Sequence, residues 1–160
     1  MTHEHPHSPM AGLLAAAERR VRTREVGLSI PETNVVVRYR AADQKELARL
    51  SGPVQKAQQS GNTERTAKAN VAFAKKLMAS TCTGIYLRDD AGQLVSADPD
   101  GDAPTFDARL CELLGKDVPE QGSDIVGYLY TDVDVLLVSA HLQEFATGGE
   151  IEVIEALPGN

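Results

Sequence analysis

The chain has 160 residues, of which 42% are hydrophobic and only 4% aromatic, and its formal net charge is −7. This length fits one globular domain, and the sequence contains neither the roughly 20-residue apolar run of a membrane-spanning helix nor a secretory signal. Residues 1–80 carry 13 basic and 7 acidic residues and residues 81–160 carry 3 and 16, and because the acidic chain as a whole repels phosphate we expect no nucleic-acid partner.

The first predicted element is a helix. Residues 1–8 are polar and aperiodic, which predicts a disordered N-terminus ahead of it. Ser8 is suited to cap this helix and Pro9 to open it. Several arginines, from Arg19 to Arg24, crowd its end, where cations complement the helix dipole. Its apolar face repeats at helical spacing and consists of Met10, Leu13, Leu14, Ala17 and Val21.

A β-hairpin is predicted next. Apolar side chains alternate over residues 26–30 and again over residues 35–39, and a turn signal at residues 31–34 separates the two runs. This pattern predicts two paired strands with one buried face. Asp43 then has the spacing of a helix cap, so a helix is predicted to begin near Gln44.

The next features are breaks and caps. Gly52-Pro53 is expected to break or kink the helix that begins near Gln44, because proline lacks the backbone N–H that a helix needs. Residues 58–65 are polar and predict a loop. A further amphipathic helix, capped by Thr63 or Thr66, is predicted to run to about Thr81.

A second hairpin and a short helix follow. Residues 85–95 form the hairpin, with its turn at residues 89–92. Residues 106–114 have the apolar spacing of a short amphipathic helix, and Gly115 ends it. Ser123 is then predicted to cap another helical stretch.

The last helix gives two competing patterns. Thr131 and Asp134 have cap spacing and predict a helix over residues 132–146, but β-branched residues in the same segment alternate and leave a strand open. We therefore predict an α+β fold, a mainly helical single domain with two short β-hairpins over residues 9–149. Residues 150–160 are predicted to be an acidic C-terminal tail, either mobile or forming a short edge strand.

Two segments are rich in potential metal ligands, and neither has the complete ligand set of a metal site. His3, His5 and His7 alternate, but a structural zinc site wants four closely spaced ligands and usually cysteine. Residues 98–102 begin like a calcium loop, yet the position of the bidentate glutamate holds Arg109. We therefore expect no metal and no other cofactor.

Catalytic signatures are also missing from the sequence. Ser139 and His141 are two residues apart, and such residues do not face each other on a helix. Cys82 and Cys111 lack redox-pair spacing and are expected to be reduced thiols in a cytosol. There is no nucleophile elbow and no phosphate-binding loop. We therefore predict that the protein is not an enzyme and has no catalytic residues.

An ordered set of segments resembles the tail assembly chaperones of long-tailed phages that infect actinobacteria. The resemblance spans roughly residues 25–148, although the last helix lacks a tryptophan after Phe145. The segments that carry it are residues 35–43, 82–95, 106–115, 124–126 and 136–145.

The resemblance implies a role in assembly. Such chaperones coat the tape measure protein in the host bacterial cytoplasm, help to recruit the tail tube protein and leave before the virion is finished. A programmed frameshift often makes a longer second form, so this chain is expected to be the shorter form and to have the longer form as a partner.

The partner surface is predicted on the last helix, with Val138, Leu142 and Phe145 as partner-binding residues. Opposite charges in the two halves of the chain also predict a homo-oligomer in which basic and acidic faces of neighbouring copies meet. Two other classes stay open, a virion structural protein such as a neck or tail-completion subunit, and a small enzyme or regulator.

Overall fold

A computed structural model describes residues 9–22 and 24–148; the predictions for residues 1–8, including Ser8 and the histidines, and for the tail at 150–160 lie outside them. The domain is 54% helical with a four-stranded antiparallel sheet, which confirms the predicted α+β fold class. Its elements are α1 (Pro9–Arg22), β1 (Glu25–Ser29), β2 (Val35–Arg40), α2 (Gln44–Gln59), α3 (Thr63–Thr81), β3 (Cys82–Arg88), β4 (Leu94–Ser96), α4 (Ala108–Leu114), a 3₁₀ helix (Gly122–Tyr128) and α5 (Asp132–Ala146).

The two predicted hairpins are both present, and they join into one sheet with the strand order β1-β2-β3-β4. Leu28 lies opposite Val37, and Val37 lies opposite Ile85, so one buried apolar row crosses three strands. The alternation in the sequence predicts this buried face. The pairing of β2 with β3 is a long-range contact across α2 and α3, which no local pattern indicates.

The helix α3 is the centre of the helical layer. It packs against α2, α5 and the 3₁₀ helix. Its residues Ala74, Leu77 and Met78 are completely buried, and one continuous apolar core joins them to the inner face of the sheet. Burying a side chain such as Leu77 stabilises a fold by about 1.5–3 kcal/mol. The position of α5 on α3 therefore decides which surfaces the domain leaves for a partner.

The helix α2 continues through Pro53 as far as Gln59, so of the predicted break or kink at Gly52-Pro53 the break does not occur. Pro53 removes the hydrogen bond to the carbonyl of Arg49, but Arg49 is exposed and water can solvate that group.

At the starts of α3 and of the 3₁₀ helix, the capping residue in the structure differs from the predicted one. Asn62 caps α3 instead of Thr63 or Thr66, and its side chain accepts a hydrogen bond from the backbone N–H of Arg65 at 3.0 Å. Ser123 lies inside the 3₁₀ helix, which begins after Gln121 without a side-chain cap. Asn62 precedes Thr63 by one residue and Thr66 by four, and the side chains of all three are able to cap a helix.

Of the two states that the sequence leaves open for the last segment, helix and strand, the structure has the helix. Residues 132–146 are helical, and Thr131 and Asp134 form a complete capping box, each side chain accepting from the other's backbone N–H. Gly115 also ends α4 as predicted, in the left-handed conformation at φ 66°. At α5 the cap therefore outweighs the β-branched alternation, because it stabilises the helical start specifically.

Candidate partner-binding surface

Two of the three residues predicted to bind a partner lie in the core. Leu142 is 2% exposed and Phe145 is 6% exposed. The guanidinium group of Arg24 covers the ring of Phe145 at 4.2 Å from its centroid. Val138 is half-buried beside them. A partner cannot reach Leu142 or Phe145 on the folded domain, so this stripe of α5 holds the helix against the core.

The opposite stripe of α5, which we call the outer face, is apolar and exposed. Val133 is 67% exposed, Leu136 42% and Leu137 58%, and Ala140 continues the same stripe one turn later. Burial of one apolar face is the rule for a helix on a globular domain, whereas apolar residues on both faces indicate a second contact. The outer face is therefore the first part of the candidate partner surface.

A groove lies beside the outer face, where α2, α3 and α5 meet. Its volume is about 390 Å³. Polar groups of Ser51, Asn70 and Gln143 lie along it, and Gln143 donates a hydrogen bond to the hydroxyl of Ser139 at 3.2 Å. Its apolar lining consists of Val54, Ala67, Val71, Phe73 and Leu136. An apolar groove of this kind is a common binding site for an amphipathic helix.

The helix α1 presents a further apolar stripe to solvent. Met10 is 63% exposed, Leu13 66% and Leu14 63%. All side chains from Pro9 to Ala17 are exposed, so none of the α1 side chains that the structure describes is buried in the domain. The part of the predicted apolar face that lies within residues 10–17 therefore does not pack on the core.

The acidic loop that resembled a calcium site is held by an arginine. Two nitrogens of the Arg109 guanidinium group donate hydrogen bonds to the carboxylate of Asp98, Nε to Oδ2 at 2.6 Å and Nη2 to Oδ1 at 2.9 Å. The hydrogen bonds from Arg109 lower the pKa of Asp98 to about 2. Arg109 also lies 3.6 Å from Asp100 and 3.2 Å from Glu112. A bound cation would have to displace this guanidinium group, so the loop is a structural ion pair.

Reactive groups are not brought together in the described part of the chain. Ser139 is 3% exposed, and among residues 9–22 and 24–148 no cluster of three His, Cys, Asp or Glu residues is positioned to hold a metal ion. Burial raises the pKa of Cys82 to about 12, so its thiol stays protonated and is a poor nucleophile at neutral pH.

Two further findings concern membrane spans in the described residues and similarity to known proteins. No single helix in the described residues is long and apolar enough to cross a membrane; only the 3₁₀ helix and α5 taken together, at a bend of 114°, reach that length and composition. In comparisons with protein-family models, curated proteins and solved structures, no match to this chain is found.

Proposed function

We propose that this protein is a phage tail assembly chaperone that binds an amphipathic helical segment of the tape measure protein in the groove between α2, α3 and α5. The observation that carries the proposal is this groove, whose apolar lining runs into the exposed side chain of Leu136. The resemblance over residues 25–148 supplies the class of partner.

Matching apolar surfaces would hold the tape measure protein in the groove. A tape measure protein is long and helical, and its apolar residues are exposed until the tail tube encloses them. A helix that lays its apolar stripe into the groove removes that surface from water at about 25 cal/mol per Å². Polar side chains at the groove, such as Asn70 and Gln143, can hydrogen-bond the rim of the bound helix.

We also propose which proteins this chaperone contacts and where it acts. The chaperone acts in the host bacterial cytoplasm, where it coats the tape measure protein, brings tail tube protein to it and is absent from the mature virion. A longer, frameshifted form of the same chain works beside it. These roles require reversible binding, which suits a shallow groove and an exposed helix face better than an obligate, fully apolar interface.

The test is a matched pair of variants on α3, in each of which one alanine is replaced by glutamate. Ala67 lines the groove, whereas Ala72 is exposed elsewhere on the same helix. Ala67→Glu should reduce co-purification with a tape measure fragment at least about tenfold, because a carboxylate would be buried against an apolar helix. Ala72→Glu should bind like the wild type. Equal binding by both variants, with unchanged circular dichroism, contradicts the groove as the site.

A second measurement separates the chaperone from a virion structural protein such as a neck or tail-completion subunit. Purified particles should lack this chain, while infected-cell lysates should contain it in complex with the tape measure protein. A fixed number of copies in every purified particle would contradict the chaperone role. In the phage genome, a tape measure gene downstream and a reading frame that overlaps the end of this gene are expected.

A further inference from the structure

We propose that α1 of one copy packs against the outer face of α5 of a second copy. This contact would bury two apolar surfaces, the stripe of α1 and the outer face of α5, that are both exposed on the monomer. It does not depend on the identity of any phage partner, and it uses the side of α5 next to the groove.

The two surfaces match in length and in apolar character. The helix α1 has 14 residues and α5 has 15, so both are about 21–22 Å long. Leu13 and Leu14 of α1 are 66% and 63% exposed, and Val133 and Leu137 of α5 are 67% and 58% exposed. Packing these stripes together would bury large side chains on both helices and leave neither apolar face in water.

Their charges are complementary. The sequence places Arg19, Arg20 and Arg22 in the last turns of α1 against a single Glu18, a net charge of +2. The helix α5 carries three acids and no lysine or arginine, a net charge of −3, and two of the acids, Asp132 and Asp134, are in its first turn. An antiparallel pair of helices brings the basic end of α1 to the acidic start of α5, and it also opposes the two helix dipoles favourably.

The charge arrangement favours a second copy over the helix α5 of the same chain. One residue separates α1 from Arg24, whose guanidinium group lies over Phe145 near the end of α5. If α1 folded back on its own α5, its end at Arg22 would therefore lie near the end of α5, where Glu144 is the acidic residue of that helix. The first-turn acids of α5 would be about 20 Å away. An antiparallel contact with a second copy brings the end of α1 to these first-turn acids instead.

The experiment uses two single substitutions in the full chain, Leu13→Glu on α1 and Leu137→Glu on α5. Sedimentation velocity of the wild type should show concentration-dependent association. Each variant alone should raise the apparent dissociation constant about tenfold or more, because it buries a carboxylate in an apolar contact. Both positions are exposed, so circular dichroism and thermal unfolding should be unchanged.

Mixing the two variants gives the decisive result. The intact α1 of the Leu137→Glu chain can still bind the intact α5 of the Leu13→Glu chain, so an equimolar mixture should form a one-to-one heterodimer. Contacts of α1 with α1, or of α5 with α5, would not be restored by mixing.

A matched control and the contradicting outcomes complete the test. Val118 is 59% exposed and lies on neither helix, so Val118→Glu should associate like the wild type. A wild type that stays monomeric at all concentrations, or a mixture of the two variants without heterodimer, would overturn the contact between copies. A monomer in which cross-links join α1 to its own α5 would assign the outer face to the same chain.

Discussion

The hydroxyl groups of Tyr39 and Tyr130 lie 3.0 Å apart inside the core, and each is the hydrogen-bond partner of the other. Tyr39 is 0% and Tyr130 6% exposed. Burial raises the pKa of both phenols above their ordinary value, and for Tyr39 the neighbouring Tyr130 adds to the effect. The pair links β2 to the loop before α5, so it helps to fix the position of α5, the helix that carries the outer face.

The first prediction is a double-mutant cycle on this pair. Tyr39→Phe should lower the free energy of unfolding by about 1–3 kcal/mol, because it leaves the buried hydroxyl of Tyr130 without a partner. Tyr39→Phe/Tyr130→Phe should be closer to the wild type than either single variant, since no polar group is then stranded. Urea unfolding of all four proteins measures the coupling, and additive losses would contradict a shared hydrogen bond.

The same variants make the effect of pH testable. Because the folded-state pKa of each phenol is raised, the folded protein holds more protons than the unfolded chain above pH about 10, and stability falls as the pH rises. The double phenylalanine variant should lose this part of the alkaline destabilisation. Cys82, whose pKa is raised to about 12, also contributes to the alkaline destabilisation, and its charge raises the pKa of both phenols, so the difference between the two proteins reports the phenols together with their coupling to this thiol.

At the scale of the element, α5 illustrates what the sequence can and cannot predict. Its capping box is local, so its start at Asp132 and its helical state follow from Thr131 and Asp134. The choice of buried face is not local, because apolar residues lie all around the helix and either stripe satisfies the same periodicity. The prediction of Leu142 and Phe145 as partner residues selected the stripe that packs on the core.

The turn between β1 and β2 gives the second prediction. The backbone N–H of Thr33 donates to the carbonyl of Ile30 at 3.2 Å, and Pro31 and Glu32 are the two central residues. Glu32 has φ 65°, which glycine adopts without strain and a residue with a Cβ does not. Glu32→Gly should therefore raise the free energy of unfolding by about 0.5–1 kcal/mol.

An alanine variant separates the backbone effect from the loss of charge. Glu32→Ala removes the carboxylate but keeps the Cβ, so its thermal unfolding should not rise above that of the wild type. Equal stabilisation by alanine and glycine would show that the charge, and not the backbone conformation, is responsible.

At the scale of the whole molecule, the charge split along the sequence is only partly cancelled inside the fold. Lys75 of the basic half lies 3.9 Å from Asp124 of the acidic half. Arg109 compensates Asp98 within the acidic half. Asp132 and Asp117 are both exposed, and the first lies in the first turn of α5 whereas the second lies outside α1 and α5. Substituting each of these two acids by asparagine therefore tests whether charge contributes to the contact between copies.

The last prediction concerns salt. Exposed ion pairs contribute about 0.2–1 kcal/mol each, and the screening length falls from about 8 Å at physiological ionic strength to about 3 Å at 1 M. If α1 binds the outer face of a second copy, raising the salt should weaken self-association by roughly tenfold while the apolar contact persists. Asp132→Asn should weaken association at low salt and flatten this dependence, and Asp117→Asn should change neither. A dissociation constant that does not vary with salt would contradict the charged part of the contact, and Leu137→Glu would still report its apolar part.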